Sequence, residues 1–169
     1  MIDYMQQARE AAVSVAPPDG YTLSVLTEDD LTEVVAVEQS LFPGEAWSAE
    51  LLQGELAGPF RIYVGVFDTT GTMVGYAGSM HSPDVAEIMT IGVVPEARER
   101  GLGKLMTESL VRAAQTLQAE TIFLEVRESN AVARNLYEGL GFVEIDRRPR
   151  YYHNPTEDAV IMRKELLGV

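Results

Sequence analysis

Apolar and polar positions repeat along the chain with two different periods, and each change of period marks an element. Leu23 and Val25 alternate with polar neighbours across Tyr21–Leu26, which predicts a first strand. Leu31, Val34 and Val35 then recur at helical spacing up to Glu38, behind a Thr27-Glu28-Asp29-Asp30 start whose acids suit a helix N-terminus. Ser48 predicts the cap of a second helix, with Trp47 placed to staple onto Leu52. Arg61–Phe67 and Thr72–Met80 read as strands joined by a hairpin at Asp68-Thr69-Thr70-Gly71, and Val85–Val93 as the next strand. Leu102–Gln118 predicts a long helix with an apolar face at Leu105, Met106, Leu110, Ala113 and Leu117. In Thr121–Arg127 the period returns to two: Ile122, Leu124 and Val126 share one face, Phe123, Glu125 and Arg127 the other. A short helix follows from Ser129-Asn130 to about Leu140, ended by Gly139 or Gly141. Phe142–Asp146 and Asp158–Leu166 read as the last strands, connected through Arg147, Arg148, Arg150, Tyr151 and Tyr152. This order predicts an α/β fold: a mixed central sheet of about seven strands with about four helices on its two faces. Residues 1–20 read as an N-terminal extension, in which Ile2, Met5, Arg9 and Ala12 could form a short helix before the Pro17-Pro18-Asp19-Gly20 turn. Residues 21–169 read as one domain.

The stretch Ile91-Gly92-Val93-Val94-Pro95-Glu96-Ala97-Arg98-Glu99-Arg100-Gly101-Leu102-Gly103-Lys104 carries the first chemistry. It ends a strand, stops the ladder at Pro95, and passes through Gly101 and Gly103 straight into an amphipathic helix. The first N–H groups of that helix have no internal partner and sit at the positive end of its dipole. Such a start is an anion site in outline, most naturally for phosphate. A Gly-x-Gly alone is also ordinary turn chemistry. No third glycine completes a dinucleotide fingerprint, and Leu105 follows Lys104 where a Walker loop needs Ser or Thr.

Charge alters this picture. The chain has 169 residues and a net charge of −13. Residues 1–97 hold only Arg9 and Arg61 as bases and carry the whole excess, while acids and bases balance in residues 98–169. One reading is a solvated acidic surface. The other is a first half that attracts a cationic substrate and a second half that tolerates an anionic cofactor. The sign disfavours a nucleic-acid backbone as partner. No apolar run reaches membrane-spanning length, and Asp3, Arg9 and Glu10 interrupt the start, so neither a membrane span nor a signal peptide is expected. The absence of cysteine excludes disulfides and a cysteine acyl-enzyme and suits a cytoplasmic setting. His81 and His153 stand apart, with no metal-ligand spacing around them, so no metal is expected.

Arg98-x-x-Gly101-x-Gly103 after Val-x-Pro resembles the acyl-CoA pyrophosphate loop of the GCN5-related N-acetyltransferases (GNAT superfamily). Leu124-Glu125-Val126-Arg127-Glu128-Ser129-Asn130, Asn135-Leu136-Tyr137-Glu138-Gly139-Leu140-Gly141-Phe142 and Asp146-Arg147-Arg148-x-Arg150-Tyr151-Tyr152 narrow the likeness. They resemble the bacterial ribosomal-protein-alanine N-acetyltransferases of the RimI type. The resemblance covers residues 21–166 and implies the GNAT fold, acetyl-CoA as co-substrate and a protein N-terminal amine as acceptor. That acceptor is expected to be the N-terminal alanine of a basic small-subunit ribosomal protein, attacking directly in a ternary complex. An α-amine with an ordinary pKa of roughly 7.7–8.0 is partly neutral near pH 7.5, whereas exposing the neutral form of a lysine costs roughly 3 kcal/mol more. A modest base therefore serves a protein N-terminus.

By the same resemblance Glu125 is the expected base, directly or through a water, and Tyr137 the expected acid toward the departing thiolate. A mid-strand, half-buried Glu125 could have a raised pKa. Without the family, Glu125 reads as an ordinary sheet-face residue and Tyr137 as a packed aromatic. Ile91, Gly92 and Val93 are the positions whose backbone would pair with the pantetheine arm. Arg98, Glu99, Arg100, Gly101, Leu102, Gly103 and Lys104 would cradle the pyrophosphate, Glu99 through its backbone alone. Arg98 stands where many relatives have glutamine. Asn130 would hold the cofactor arm and can cap its helix as well. The acceptor would lie between the Phe42–Trp47 loop and the Arg147–Tyr152 segment. Acetylation of lysine side chains or of a small-molecule amine, and cofactor binding without catalysis, are the alternatives.

Overall fold

A computed structural model describes residues 3–166; Ile2 and the last three residues of the expected domain lie outside the described residues. The strands are β1 (Thr22–Val25), β2 (Arg61–Phe67), β3 (Met73–His81), β4 (Val85–Val93), β5 (Thr121–Arg127), β6 (Val143–Tyr152) and β7 (Glu157–Glu165). The helices are α1 (Tyr4–Ala12), α2 (Leu31–Leu41), α3 (Ala49–Ala57), α4 (Leu102–Thr116) and α5 (Ala131–Gly139). One sheet runs in the order β1-β2-β3-β4-β5-β7-β6. Among the described residues only the β4–β5 pair is parallel, because α4 carries the chain back between them. The α/β fold with a mixed seven-stranded sheet is as expected from the sequence.

Alternation along the strands divides the core in two. Ile62, Val64 and Val66 of β2 pack with Leu105, Met106 and Leu110 of α4 and Tyr137 of α5. Tyr63, between them in sequence, packs on the other face with Tyr76, Val34, Val37 and Leu52. Helix α1 joins the first face: Ala8 and Ala12 are fully buried, and the Ser109 hydroxyl of α4 donates to the Ala12 carbonyl at 2.7 Å. Ser48 caps α3 by accepting from the Leu51 N–H, and Trp47 packs with Leu52 in the second core.

Residues 147–152 differ from the expectation. They belong to β6, a strand of ten residues, rather than to a connection. Nearly every side chain of β6 is exposed, so its polar run carries no apolar alternation to mark it as a strand. It is an edge strand paired only with β7, and the pairing shifts register twice, once beside Arg150 at φ +54°.

The central feature is a split in the sheet. Pairing between β4 and β5 runs from Val85↔Thr121 to Ile88↔Leu124 and stops. There β4 bulges, since Gly78 and Ser79 of β3 face Thr90 and Ile88 and skip Met89. A bulge bends its strand and deepens the twist. Beyond it β4 stays with β3 up to Gly75↔Val93, while β5 stays with β7 up to Arg127↔Ala159. The edge of Thr90–Val93 toward β5 is left without a strand partner.

Candidate functional site

A cavity of about 640 Å³ occupies the split. Its walls come from both halves of the sheet, from α2 and the loop after it, from α5 and from the end of β6. Glu125 and Tyr137 both line it, together with Ile91 and Asn130. The two faces of the sheet meet here. Glu125 lies on the face of β5 opposite Leu124 and Val126, whereas Tyr137 belongs to the core on the Leu124 side. A closed sheet would keep them apart; the split lets both reach one space.

The Tyr137 ring packs against Phe142, with centroids 5.9 Å apart, and is 5% exposed. Burial pushes its pKa up to about 12, so the phenol keeps its proton at neutral pH. Among the described residues its hydroxyl has no hydrogen-bond partner, although it borders the cavity. The Glu125 carboxylate is half-buried and pairs with Arg148 Nε at 3.2 Å. Asn130 caps α5, accepting from the Ala133 N–H at 3.2 Å.

Of the strand positions singled out, Ile91 lines the cavity and packs on the α4 side. Gly92 turns the other way. A Cβ there would lie 2.5 Å from Leu41 Cδ1, so its smallness serves the packing of α2 on β4. Val93 accepts through its carbonyl from Arg98 Nε at 3.1 Å, which folds that guanidinium back onto the strand. In the loop that follows, Glu99 has φ +62° and Gly101 φ +78°. Left-handed residues set into a turn in this way aim backbone N–H groups inward as an anion-binding nest. Among the described residues, the N–H groups of residues 99–104 donate to nothing, and the first helical bond is Leu105 N–H to the Gly101 carbonyl at 3.0 Å. The Leu102 side chain is buried beneath the loop, Arg100 and Lys104 are exposed, and Gly103 faces Leu136 of α5. These observations fit a bound pyrophosphate: free donors, positive dipole and flanking bases converge. No group of three or more His, Asp or Glu stands within metal-holding distance among the described residues.

Three carboxylates at the cavity escaped the sequence reading of the site. Glu87 of β4 is half-buried on the Glu125 side. Burial and the charge of Glu125 raise its pKa, with Arg148 opposing. Glu38 is 2% exposed. It accepts from the Trp47 N–H at 2.8 Å and from the Tyr76 hydroxyl, tying the loop after α2 to the sheet. Glu45 pairs with Arg127 at 2.8 Å. The available signal for Glu38 was an acid standing in the apolar register of its helix. For Glu87 it was the two-residue period of β4; for Glu45 there was none.

With Glu38, Glu45, Glu87 and Glu125 against Arg127, the cavity wall is predominantly acidic. A low-dielectric cleft lined by one sign of charge draws the opposite charge toward it. A cationic amine is the matching guest, while the free N–H groups at the far end of β4 match an anion.

Known proteins resemble this chain in sequence and in fold. The acetyltransferase (GNAT) family matches residues 27–142. The N-alpha-acetyltransferase RimI of Mycobacterium tuberculosis is 35% identical over 155 residues, covering 89% of this chain and 96% of that protein. The [ribosomal protein bS18]-alanine N-acetyltransferase of Salmonella typhimurium is 36% identical over 148 residues, covering 83% and 95%. An uncharacterized protein of Mycobacterium leprae is 36% identical over 161 residues, and the chain spans 44% of its length. The crystal structure of the ribosomal-protein alanine N-acetyltransferase of Escherichia coli superposes with a TM-score of 0.79 at 32% identity, covering 86% of this chain and 94% of that one. Fold, split sheet and family match converge, and the chain belongs to the GNAT family of acetyltransferases.

Proposed function

We propose that this protein transfers the acetyl group of acetyl-CoA to the N-terminal α-amine of a protein, most specifically the N-terminal alanine of a small-subunit ribosomal protein in the cytoplasm. The observation that carries the reading is the meeting of Glu125 and Tyr137 in one cavity that opens along an unpaired strand edge. The edge of Ile91, Gly92 and Val93 suits an amide-bearing arm, and residues 98–104 suit its pyrophosphate. Asn130 lines the same cavity at the cap of α5. The relatives named for ribosomal protein bS18 support the acceptor.

Acetyl-CoA supplies the thioester whose carbonyl the amine attacks and whose thiolate leaves. The acidic wall draws the ammonium form of the acceptor inward. Glu125 accepts the proton that the amine must lose, directly or through a water, and Tyr137 donates its phenolic proton to the thiolate. Proton transfers of this kind are worth about 10²–10⁴-fold in rate. A second reading of the base rests on the Arg148 pair at Glu125 and the raised pKa of Glu87: Glu87 takes the proton while Glu125 stays paired.

The test is transfer to a basic peptide beginning with alanine, beside the same peptide with a blocked N-terminus and an internal lysine. Transfer to the first alone supports the proposal, and transfer to the second alone overturns it. Glu125→Gln and Tyr137→Phe should each lower kcat by about 100-fold, within the range for a lost general acid or base, with acetyl-CoA affinity retained. Full activity in both variants removes the assigned roles. Loss in Glu87→Gln alone moves the base to Glu87.

A further inference from the structure

The two walls that would flank an acceptor come from distant parts of the chain. One is the Phe42–Trp47 loop; the other is the end of β6 and the turn toward β7. Arg127, the last residue of β5, joins them. Its Nη2 donates to both carboxylate oxygens of Glu45, at 3.0 and 2.8 Å, and to the His153 carbonyl at 3.0 Å. Its Nη1 donates to Glu157 and to the Pro155 carbonyl, each at 3.2 Å. The guanidinium carbon also stands 4.5 Å from the centre of the Tyr152 ring. The hairpin side thus holds the planar fork by several contacts, while the other wall holds it by Glu45 alone.

We infer that Glu45 and Arg127 form a clasp across the acceptor cleft, and that this clasp selects a chain terminus over a lysine in mid-chain. The inference rests on the proposed transfer to an N-terminal amine. Crossed by an ion pair, the cleft becomes a passage closed on one side. A terminus enters it with a single strand of chain behind it. A lysine amine hangs from a backbone that continues in both directions, and the closed clasp holds that backbone away. Cutting the clasp opens the cleft to the second kind of acceptor. Glu45 and Arg127 are specificity-determining residues here, with no part in the proton transfers.

Side chains of the pair are 24% and 32% exposed, so dissolved salt reaches and weakens the contact. That gives a test in the unaltered protein as well as in variants. The measurement is the ratio of kcat/KM on an N-blocked lysine peptide to kcat/KM on an alanine-initiated peptide. Glu45→Ala should raise the ratio by roughly tenfold, equivalent to about 1.4 kcal/mol, and Glu45→Gln by less, because the amide still accepts one hydrogen bond. The KM for acetyl-CoA should stay within about twofold, because the pair lies away from the anion-binding loop. Raising salt from about 0.05 to about 0.5 M should move the wild-type ratio the same way and leave Glu45→Ala unmoved. A wild type that acetylates the alanine peptide, with one common ratio in all variants and salts, overturns the clasp and leaves the proposed function standing. A wild type that does not acetylate the alanine peptide overturns both.

Discussion

Glu87 and Glu125 stand on neighbouring parallel strands, on the same face, two register positions apart: Glu87 is paired with Phe123. Both carboxyls border the one cavity, and the charge of Glu125 adds to burial in raising the Glu87 pKa. The folded chain therefore binds a proton at Glu87 more readily than the unfolded chain does. This favours folding below the ordinary carboxylate range and is lost as pH rises through the raised value. Glu87→Gln should unfold at a higher temperature than wild type at neutral pH, and the difference should vanish in acid. Thermal melts across pH check it. Glu157 runs the other way, because bonding to Ser129 and Arg127 lowers its pKa and its contribution is lost as pH falls.

Tyr137 offers a spectroscopic check. With its pKa raised to about 12, its phenolate should appear only near that pH in an absorbance titration. The step should be missing from Tyr137→Phe. Any loss of acetyl transfer between neutral pH and about pH 10 must then arise elsewhere, because the phenol still carries its proton there.

Glu38→Ala removes the acceptor of two donors, the part-buried Trp47 N–H and the buried Tyr76 hydroxyl. Orphaned donors cost about 1–3 kcal/mol each, and a chain of this size loses about 2–4 °C in Tm per kcal/mol. Because Trp47 sits in the acceptor wall, the KM for the peptide should rise while the KM for acetyl-CoA stays near wild type. Equal changes in both KM values would mean that Glu38 serves only the core.

Gly101 and Gly103 should respond in opposite ways. Gly101 has φ +78°, so alanine there costs about 1 kcal/mol whatever the space around it. Gly103 is helical, and an added Cβ would rest 3.6 Å from Leu136 Cδ1 in ordinary contact. Alanine there should raise Tm by a few degrees, since glycine costs about 1 kcal/mol in a helix. Weaker acetyl-CoA binding in Gly103→Ala despite that gain would mark its open backbone as part of the cofactor surface; calorimetry measures it.

Much of this was legible in the sequence for physical reasons. The alternation of β5 put Glu125 on the face opposite Ile122, Leu124 and Val126, because a strand has no other way to bury those three together. Ser48 and Asn130 marked helix starts because few side chains can serve the orphan N–H groups. The start of β6 was legible as the strand Phe142–Asp146, but residues 147–152 were not, since that exposed edge carries no apolar period. Nor was the role of Glu45, which depends on Arg127 being brought to it from 82 positions away. Glu87 was hidden for the same reason: its environment is made by Glu125 and Arg148, which reach it only through sheet pairing.

Helix α1 bears on how the protein is handled. The family match begins at residue 27, yet Ala8 and Ala12 are wedged fully buried behind the helix that starts at the glycine loop. Anyone starting the gene at residue 27, where the family match begins, would strip that backing together with β1 and bare the rear of α4 to water. Such a shortened product should clump or melt early, and its poor behaviour would be mistaken for a fault in the active centre.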